Sequence, residues 1–102
     1  MITRADAEEI LAAFGPCSVL YETTSAKEVI DDVGDRTPRG YIEAQLVVEA
    51  VTNDRMEHSA AAREESGEAQ YKDHHLMVVA ENVEFIADLK ARCTALMARK
   101  GW

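Results

Sequence analysis

The sequence predicts an α+β fold, with a small, mainly antiparallel sheet of about three strands and helices packed on one face in two layers. Three observations predict it. Two segments have helix caps and one-sided apolar stripes, two segments are rich in β-branched residues, and one apolar run passes into a last helical segment. The length of 102 residues and the 47% apolar content are sufficient for a single domain, 1–102, with one core.

Two capped segments predict helices in the first third of the chain. Thr3 stands three residues before an aspartate, as in a capping box, and the apolar stripe that follows predicts a helix over residues 4–14. Gly15, followed by proline, ends this helix. Ser25 begins a Ser-x-x-Glu capping box, which predicts a second helix over residues 25–34.

The segments rich in β-branched residues predict strands. Residues 17–23 (CSVLYET) are β-prone and lie between turn-forming residues, which predicts a first strand. Residues 40–52 (GYIEAQLVVEAVT) alternate between two faces from Ile42 onward, and their valines favour a second strand. A helix remains the alternative interpretation of this segment, because Ile42, Leu46 and Ala50 also form a stripe at helical spacing.

The second half of the chain predicts a strand followed by the longest helix. Residues 53–70 fit two structures equally well, a short helix around 57–65 ended by Gly67 or the tip of a long hairpin. The apolar run at the end of residues 70–80 predicts a third strand that is buried on both faces. Asn82 then caps a helix whose apolar stripe continues to the end of the chain.

The net charge of −8 indicates the class of partner. An acidic surface repels phosphates, so direct binding to nucleic acid is disfavoured, whereas a protein with a basic surface is attracted. We therefore expect a small, non-enzymatic interaction or inhibitor module whose carboxylates act as a nucleic-acid mimic, similar to phage inhibitors in size and charge alone. The acidic residues predicted to bind the partner are Asp31, Asp32, Asp35, Glu43, Glu49, Glu57, Glu64, Glu65 and Glu68.

The alternative function is a small-ligand-binding protein or an enzyme with a pocket at a dimer interface. The pocket would be lined by Tyr41, Tyr71, His74 and Trp102, since binding sites combine apolar walls with a few polar groups. The histidines and cysteines show no zinc or redox spacing, and the glycines form no phosphate loop, so we expect no metal, no cofactor and no assigned catalytic residue. Cys93 lies on an apolar helical stripe, which predicts a buried and unreactive thiol.

The remaining features favour a cytoplasmic homodimer. Cys17 and Cys93 are isolated, as is usual for reduced thiols in the cytosol. The start of the chain lacks the pattern of a signal peptide, and no apolar run has the length of a membrane span. A three-stranded sheet would have two exposed edges, and Val47 and Val51 would add apolar surface. Pairing across a two-fold axis would cover both.

Overall fold

Every regular element that the structure describes is an α-helix. The computed structural model describes residues 2–65 and 70–102, except the side chains of Glu64 and of residues 70–75. The helices are α1 (Arg4–Phe14), α2 (Val19–Thr23), α3 (Ala26–Val33), α4 (Pro38–Glu65) and α5 (Gln70–Lys100). The predicted α+β fold is therefore wrong, because these residues form no strand and no sheet.

The two capped helices near the N-terminus are confirmed. At the start of α1, the Asp6 backbone N–H donates to Thr3 Oγ1, and the Thr3 N–H donates to the Asp6 carboxylate, each at 3.1 Å. At the start of α3, the Glu28 N–H donates to Ser25 Oγ at 3.3 Å. Gly15 ends α1 with a φ of 82°, a backbone conformation that residues other than glycine rarely adopt. The start of each of these two helices is therefore determined by hydrogen bonds between residues three positions apart in the sequence.

The first predicted strand, residues 17–23, is wrong, because this segment forms a turn followed by α2. Ser18 is the N-cap residue of α2. The Glu49 carboxylate, which comes from α4, accepts hydrogen bonds from the N–H groups of Val19 and Leu20 at 3.1 and 3.0 Å. A helix of five residues is not stable alone in water. The conformation of this segment therefore depends on a carboxylate about thirty residues away.

The second and third predicted strands are also wrong, because they lie within the two longest helices. Residues 40–52 belong to α4, so the helical alternative is correct for this segment, and residues 70–80 belong to α5. A valine in a helix loses at most about 0.7 kcal/mol relative to alanine. Helix pairing offsets this small loss, because α4 and α5 pack against each other and bury residues such as Ile42 and Val78.

The uncertain middle segment is helical as far as Glu65. The helical alternative is correct for residues 57–65, although they end the 28-residue helix α4 and do not form a short helix of their own. Its predicted end at Gly67 lies outside the described residues. Helices α4 and α5 run antiparallel, and the Nδ2 of Asn82 donates to the backbone oxygen of Asn53 at 3.0 Å between them. The two helices thus form a long helical hairpin.

The hairpin makes the molecule elongated. Its extents are 52 × 22 × 18 Å, and its radius of gyration is 16.1 Å, whereas a compact domain of this length has a radius of about 13 Å. We call α1–α3, together with residues 38–49 and 85–102, the head. Residues 50–65 and 70–84 form the arm. The arm extends beyond the head: the bonds from α2 and from the end of α1 reach Glu49 of α4 and Arg92 of α5, and both of these residues lie in the head.

The head contains the core, and α1 is held on α5 through its backbone as well as its side chains. The buried apolar residues of the head are Ile2, Ala7, Ile10, Phe14, Leu20, Val29, Val33, Tyr41, Ile42, Leu89, Cys93, Leu96 and Met97. Arg92 donates from Nε to the Ala13 carbonyl at 2.7 Å and from Nη2 to the Phe14 carbonyl at 3.1 Å. Because α1 has no basic residue in its own last turn, Arg92 supplies the cation that its C-terminus favours.

A charged cluster joins the end of α5 to the first half of α1. Lys100 forms salt bridges with Asp6, at 2.9 Å, and with Glu9, and Arg99 contacts Glu9 at 3.1 Å. The hydrogen bonds from Lys100 lower the pKa of Asp6 and the pKa of Glu9, and the bonds to Glu9 and Asp6 raise the pKa of Lys100. The carboxylate contribution to stability is therefore complete above the ordinary pKa values of 3.8 and 4.5 and is lost in more acidic solution.

Candidate functional site

Three of the predicted partner-binding acids form one exposed cluster at the end of α3. Asp31 and Asp32 lie in the last turn of the helix, and Asp35 follows it. Arg36 Nη2 donates to the Asp32 backbone carbonyl at 2.8 Å, and no cation in the described part of the chain forms a salt bridge with the three carboxylates. Negative charge at a helix C-terminus costs about 0.3–1 kcal/mol per group. The chain therefore keeps these carboxylates where they destabilise α3.

The acids predicted along residues 43–57 do not share one face. Glu43 is exposed and forms a salt bridge with Arg39 at 3.4 Å. Glu49 is only 1% exposed and caps α2, so it supports the fold and lies away from any exposed surface. Glu57 is half-buried between α4 and α5, where its Oε1 accepts from Asn82 Nδ2 at 3.2 Å. The structure thus leaves Glu43 and part of Glu57 accessible to a partner.

The acids predicted near residues 64–68 are described only in part. Glu65 is exposed at the end of α4. The side chain of Glu64 and all of Glu68 lie outside the described residues. This predicted group therefore remains a prediction, apart from the exposure of Glu65.

A row of acids on α5 was missed by the sequence prediction. Glu81, Glu84 and Asp88 are exposed and occupy positions i, i+3 and i+7, which lie on one face of a helix. No described cation forms a salt bridge with any of them. The prediction placed a strand end and a helix start within this segment, which hid the spacing. We call Glu81, Glu84 and Asp88 the α5 acidic row.

The residues of the alternative ligand pocket are not brought together. Tyr41 is buried in the head, 5% exposed, with the Arg36 guanidinium 5.6 Å from its ring centroid. Trp102 is half-buried beside the head core. The backbone of Tyr71 and His74 lies near the start of α5, about 30 Å from Tyr41 along the hairpin at 1.5 Å per residue. Their side chains lie outside the described residues.

An open groove runs along one side of the hairpin. Its volume is about 460 Å³, and its apolar floor consists of Ala50 from α4 and of Val83, Ile86 and Ala87 from α5. Charged residues of both signs border it, with Asp54 and Glu57 on α4 and Lys90 on α5. The Val83 side chain is 65% exposed. No residue of α1–α3 lines this groove, so these three helices leave it uncovered. We call it the hairpin groove.

A polar cluster lies between the two helices beside the groove. Asn82 Nδ2 donates both to the Asn53 carbonyl, at 3.0 Å, and to Glu57 Oε1, at 3.2 Å. The Nδ2 atom of Asn53 is buried and has no hydrogen-bond partner in the described structure. A hydrogen bond between two paired helices forms only where its donor and acceptor are level, so it favours one alignment of the helices over the others. Asn82 therefore fixes the register of α4 against α5.

The two cysteines differ in accessibility. Cys17 is exposed, and Cys93 is fully buried on the inner face of α5, as the sequence predicted. Burial raises the pKa of the Cys93 thiol from the ordinary 9.0 to about 11. A thiol nucleophile must ionise and must be reached by its substrate. Cys93 meets neither condition.

This difference predicts the pattern of thiol labelling. In mildly alkaline buffer, iodoacetamide should label Cys17 in the native protein and should label Cys93 at least about a hundredfold more slowly, because the higher pKa alone lowers its thiolate fraction by this factor. Mass spectrometry counts the labels. The variant Cys17→Ser should stay unlabelled until denaturant is added. Rapid labelling of native Cys17→Ser would show that Cys93 is accessible.

The described residues show neither a metal site nor a membrane span. Within them, no three histidine, cysteine, aspartate or glutamate side chains converge on a position for a metal ion. Helices α4 and α5 are long, yet no helix of the described residues is apolar enough over its length to cross a bilayer.

Comparison with known proteins adds no relative. No family model, no curated protein and no solved structure matches the chain. The function is consequently inferred from the surfaces of the protein itself, of which three are distinct: the α3 acidic cluster of Asp31, Asp32 and Asp35, the α5 acidic row and the hairpin groove.

Proposed function

We propose that the protein is a non-enzymatic interaction module whose acidic exterior binds a basic surface of another protein. The observation that supports this most strongly is the α5 acidic row. Glu81, Glu84 and Asp88 follow one face of a rigid helix, and no described cation neutralises them. Aligned charge of one sign speeds encounter with an oppositely charged partner and orients it.

The spacing of the row suits a mimic of nucleic acid. Its three carboxylates lie along eight residues of α5, from Glu81 to Asp88, so neighbouring charges are separated by about 5 Å of helix axis at 1.5 Å per residue. One DNA strand has a phosphate every 3.4 Å or so along its axis. The line charge of the row is therefore somewhat lower than that of a phosphate strand, but of the same order. A protein that binds phosphates with lysine and arginine is the proposed partner.

The α3 acidic cluster is a second candidate contact for the same partner. Asp31 and Asp32 lie at the helix end that disfavours negative charge, and no salt bridge offsets that cost in the described structure. Functional residues often occupy positions that lower stability. We assign the α5 acidic row first, because a helix interior holds its side chains in a fixed line, whereas Asp35 follows the end of α3. We propose the cytoplasm as the compartment of this activity, since thiols such as those of Cys17 and Cys93 stay reduced there.

Charge reversal on the two acidic surfaces tests the proposal. The probe is a cell-lysate fraction of proteins retained on a DNA column, captured on the immobilised protein at about 50 mM and at about 500 mM salt, which changes electrostatic screening severalfold. We expect capture at low salt and release at high salt. The triple variant Glu81→Lys, Glu84→Lys, Asp88→Lys should reduce capture at least about tenfold, because it replaces attraction with repulsion.

The same change in net charge at the α3 acidic cluster tests the second candidate contact. The triple variant Asp31→Lys, Asp32→Lys, Asp35→Lys should retain most of the capture if the α5 acidic row is the contact. Duplex DNA added as a competitor should displace the protein from its partners. Capture that is independent of salt, or equal for both triple variants and the unmodified protein, would contradict an acidic contact surface.

A further inference from the structure

Helix α5 has a second apolar stripe that α1–α3 do not cover. The inner stripe, which includes Leu89 and Cys93, is buried. The second stripe is Leu76, Val79, Val83 and Ile86, at the spacing i, i+3, i+7 and i+10 that is typical of a helix contact. Val83 lines the groove, and Arg92 contacts α1. The two residues are nine positions apart, or two and a half helical turns, so they face opposite directions. The groove therefore lies on the side of α5 opposite to α1.

We infer that the hairpin groove binds the hairpin groove of a second copy of this chain, which gives an antiparallel four-helix assembly across a two-fold axis. The sequence predicted a homodimer because a small sheet would have two exposed edges. That reason no longer holds, because the described residues form no sheet. The reason here is the uncovered stripe, on which Leu76 and Val83 are 60% and 65% exposed. In a two-fold contact, the same patch serves both partners, as two matching grooves require. This inference does not depend on the proposed function.

The surface area of the chain fits this assembly. The accessible surface is 6424 Å² for a mass of 11.3 kDa. A compact monomer of this mass exposes roughly 5,700 Å². The excess of about 700 Å² is close to the 800 Å² or so that each partner contributes to a stable interface. A second copy on the hairpin groove would remove about as much surface as the elongated shape adds.

The charges that border the groove are complementary to themselves under a two-fold rotation. The contact between Asn82 and Asn53 marks one level along the hairpin. At 1.5 Å per residue, Glu57 lies about 6 Å from this level toward the arm, and Lys90 lies about 12 Å from it toward the head. An axis about 3 Å on the head side of this level brings Lys90 of each copy level with Glu57 of the other.

This axis also passes through the apolar floor of the groove. Ala50 and Val83 lie within about 2 Å of its level, and the small Ala50 side chain permits close approach of two helices. Lys90 forms no salt bridge within the described residues, so it is free to pair across the interface. The charge register and the apolar centre thus agree on one position for the axis.

The primary test is the mass of the purified protein in solution. Sedimentation equilibrium or light scattering should show a dimer at micromolar concentration, with no other protein present. Val83→Glu should raise the dissociation constant at least about a hundredfold, because an unpaired charge is buried near the axis in both copies. Since Val83 is 65% exposed in the single chain, the variant should remain folded by circular dichroism.

Two further variants separate this position from a general apolar effect. Val48→Glu is the matched control, because Val48 is 45% exposed but lines a different cavity, beside Tyr41, and it should remain dimeric. Lys90→Glu should weaken the dimer about tenfold or less, since it places a carboxylate of each copy level with Glu57 of the other.

Several results would overturn the inference. A monomer at all concentrations would overturn the inference. This holds even if Val83→Glu abolished capture of another protein, because the groove would then bind that protein and not a second copy of this chain. Loss of the dimer in Val48→Glu but not in Val83→Glu would place the interface elsewhere. Salt separates this inference from the proposed function, since screening should strengthen association of two copies with a net charge of −8 each, whereas it should weaken binding of a basic partner.

Discussion

Replacing Phe14 with alanine should lower the free energy of unfolding by about 4 kcal/mol. Phe14 is the largest fully buried side chain among the described residues, and its carbonyl is also bound by Arg92 of α5. The substitution removes most of an aromatic ring from the centre of the head and leaves a cavity that the surrounding helices cannot fill. This loss is a large part of the 5–15 kcal/mol or so that stabilises an ordinary domain. Urea denaturation followed by circular dichroism measures it.

Two controls show whether the effect comes from the cavity. Phe14→Leu keeps much of the volume and should cost about 1–2 kcal/mol. Tyr21→Ala removes an aromatic ring of similar size that is 47% exposed, and it should cost about 1 kcal/mol at most. A loss below about 1 kcal/mol for Phe14→Ala would show that α1 does not pack on α5 as described.

Replacing Glu49 with alanine should lower the free energy of unfolding by about 3 kcal/mol. Its two carboxylate oxygens accept the N–H groups of Val19 and Leu20, and the side chain is 1% exposed. Without it, a buried and a half-buried donor at the start of α2 lose their partner, and a cavity forms beside them. Urea denaturation measures the loss, and hydrogen exchange of the Val19 and Leu20 amides should become faster than exchange in α1.

The controls for Glu49 separate the hydrogen bonds from the charge. Glu49→Gln keeps the shape and one acceptor oxygen, so it should lose roughly half as much stability as Glu49→Ala. Glu43→Ala removes an exposed carboxylate whose salt bridge to Arg39 is solvated, and it should change stability by less than about 0.5 kcal/mol. Equal losses for Glu43→Ala and Glu49→Ala would mean that Glu49 is not a buried cap.

The two proposals use separate sides of α5. The α5 acidic row and the hairpin groove stand on different faces, since Val83 and Glu81 are two residues, or about 200°, apart on the helix. A dimer formed through the groove would therefore leave both acidic rows accessible. Two linked rows on one assembly would bind a partner with several basic sites more tightly than one row, because the second contact forms within the complex.

The sequence prediction succeeded where structure is decided by neighbouring residues. Thr3 and Ser25 cap α1 and α3 by hydrogen bonds to the residue three positions later, so a window of a few residues contained all the necessary information. Cys93 was correctly placed inside, because it lies on a regular apolar stripe. These features involve contacts within one or two helical turns.

Some of the errors could have been avoided. Ile42, Leu46, Glu49 and Asn53 occupy positions i, i+4, i+7 and i+11, which predicts that Glu49 faces the inside of a helix rather than an exposed surface. A helical interpretation of residues 70–80 would likewise have revealed the spacing of the α5 acidic row. In both cases, the preference of valine for strands outweighed a periodic signal that was present.

By itself, the sequence determined two capped helices, an acidic exterior and the burial of one cysteine, because each follows from residues close together in the chain. Only the tertiary structure decided that α2 is a helix, that α4 and α5 pair along their length, and that one side of the hairpin remains bare. The Glu49 bonds to α2 and the Asn82 bond to α4 join residues about thirty positions apart. The conformational preferences of neighbouring residues cannot specify contacts over that separation. These contacts lower the free energy of the protein only after the helices have packed against each other.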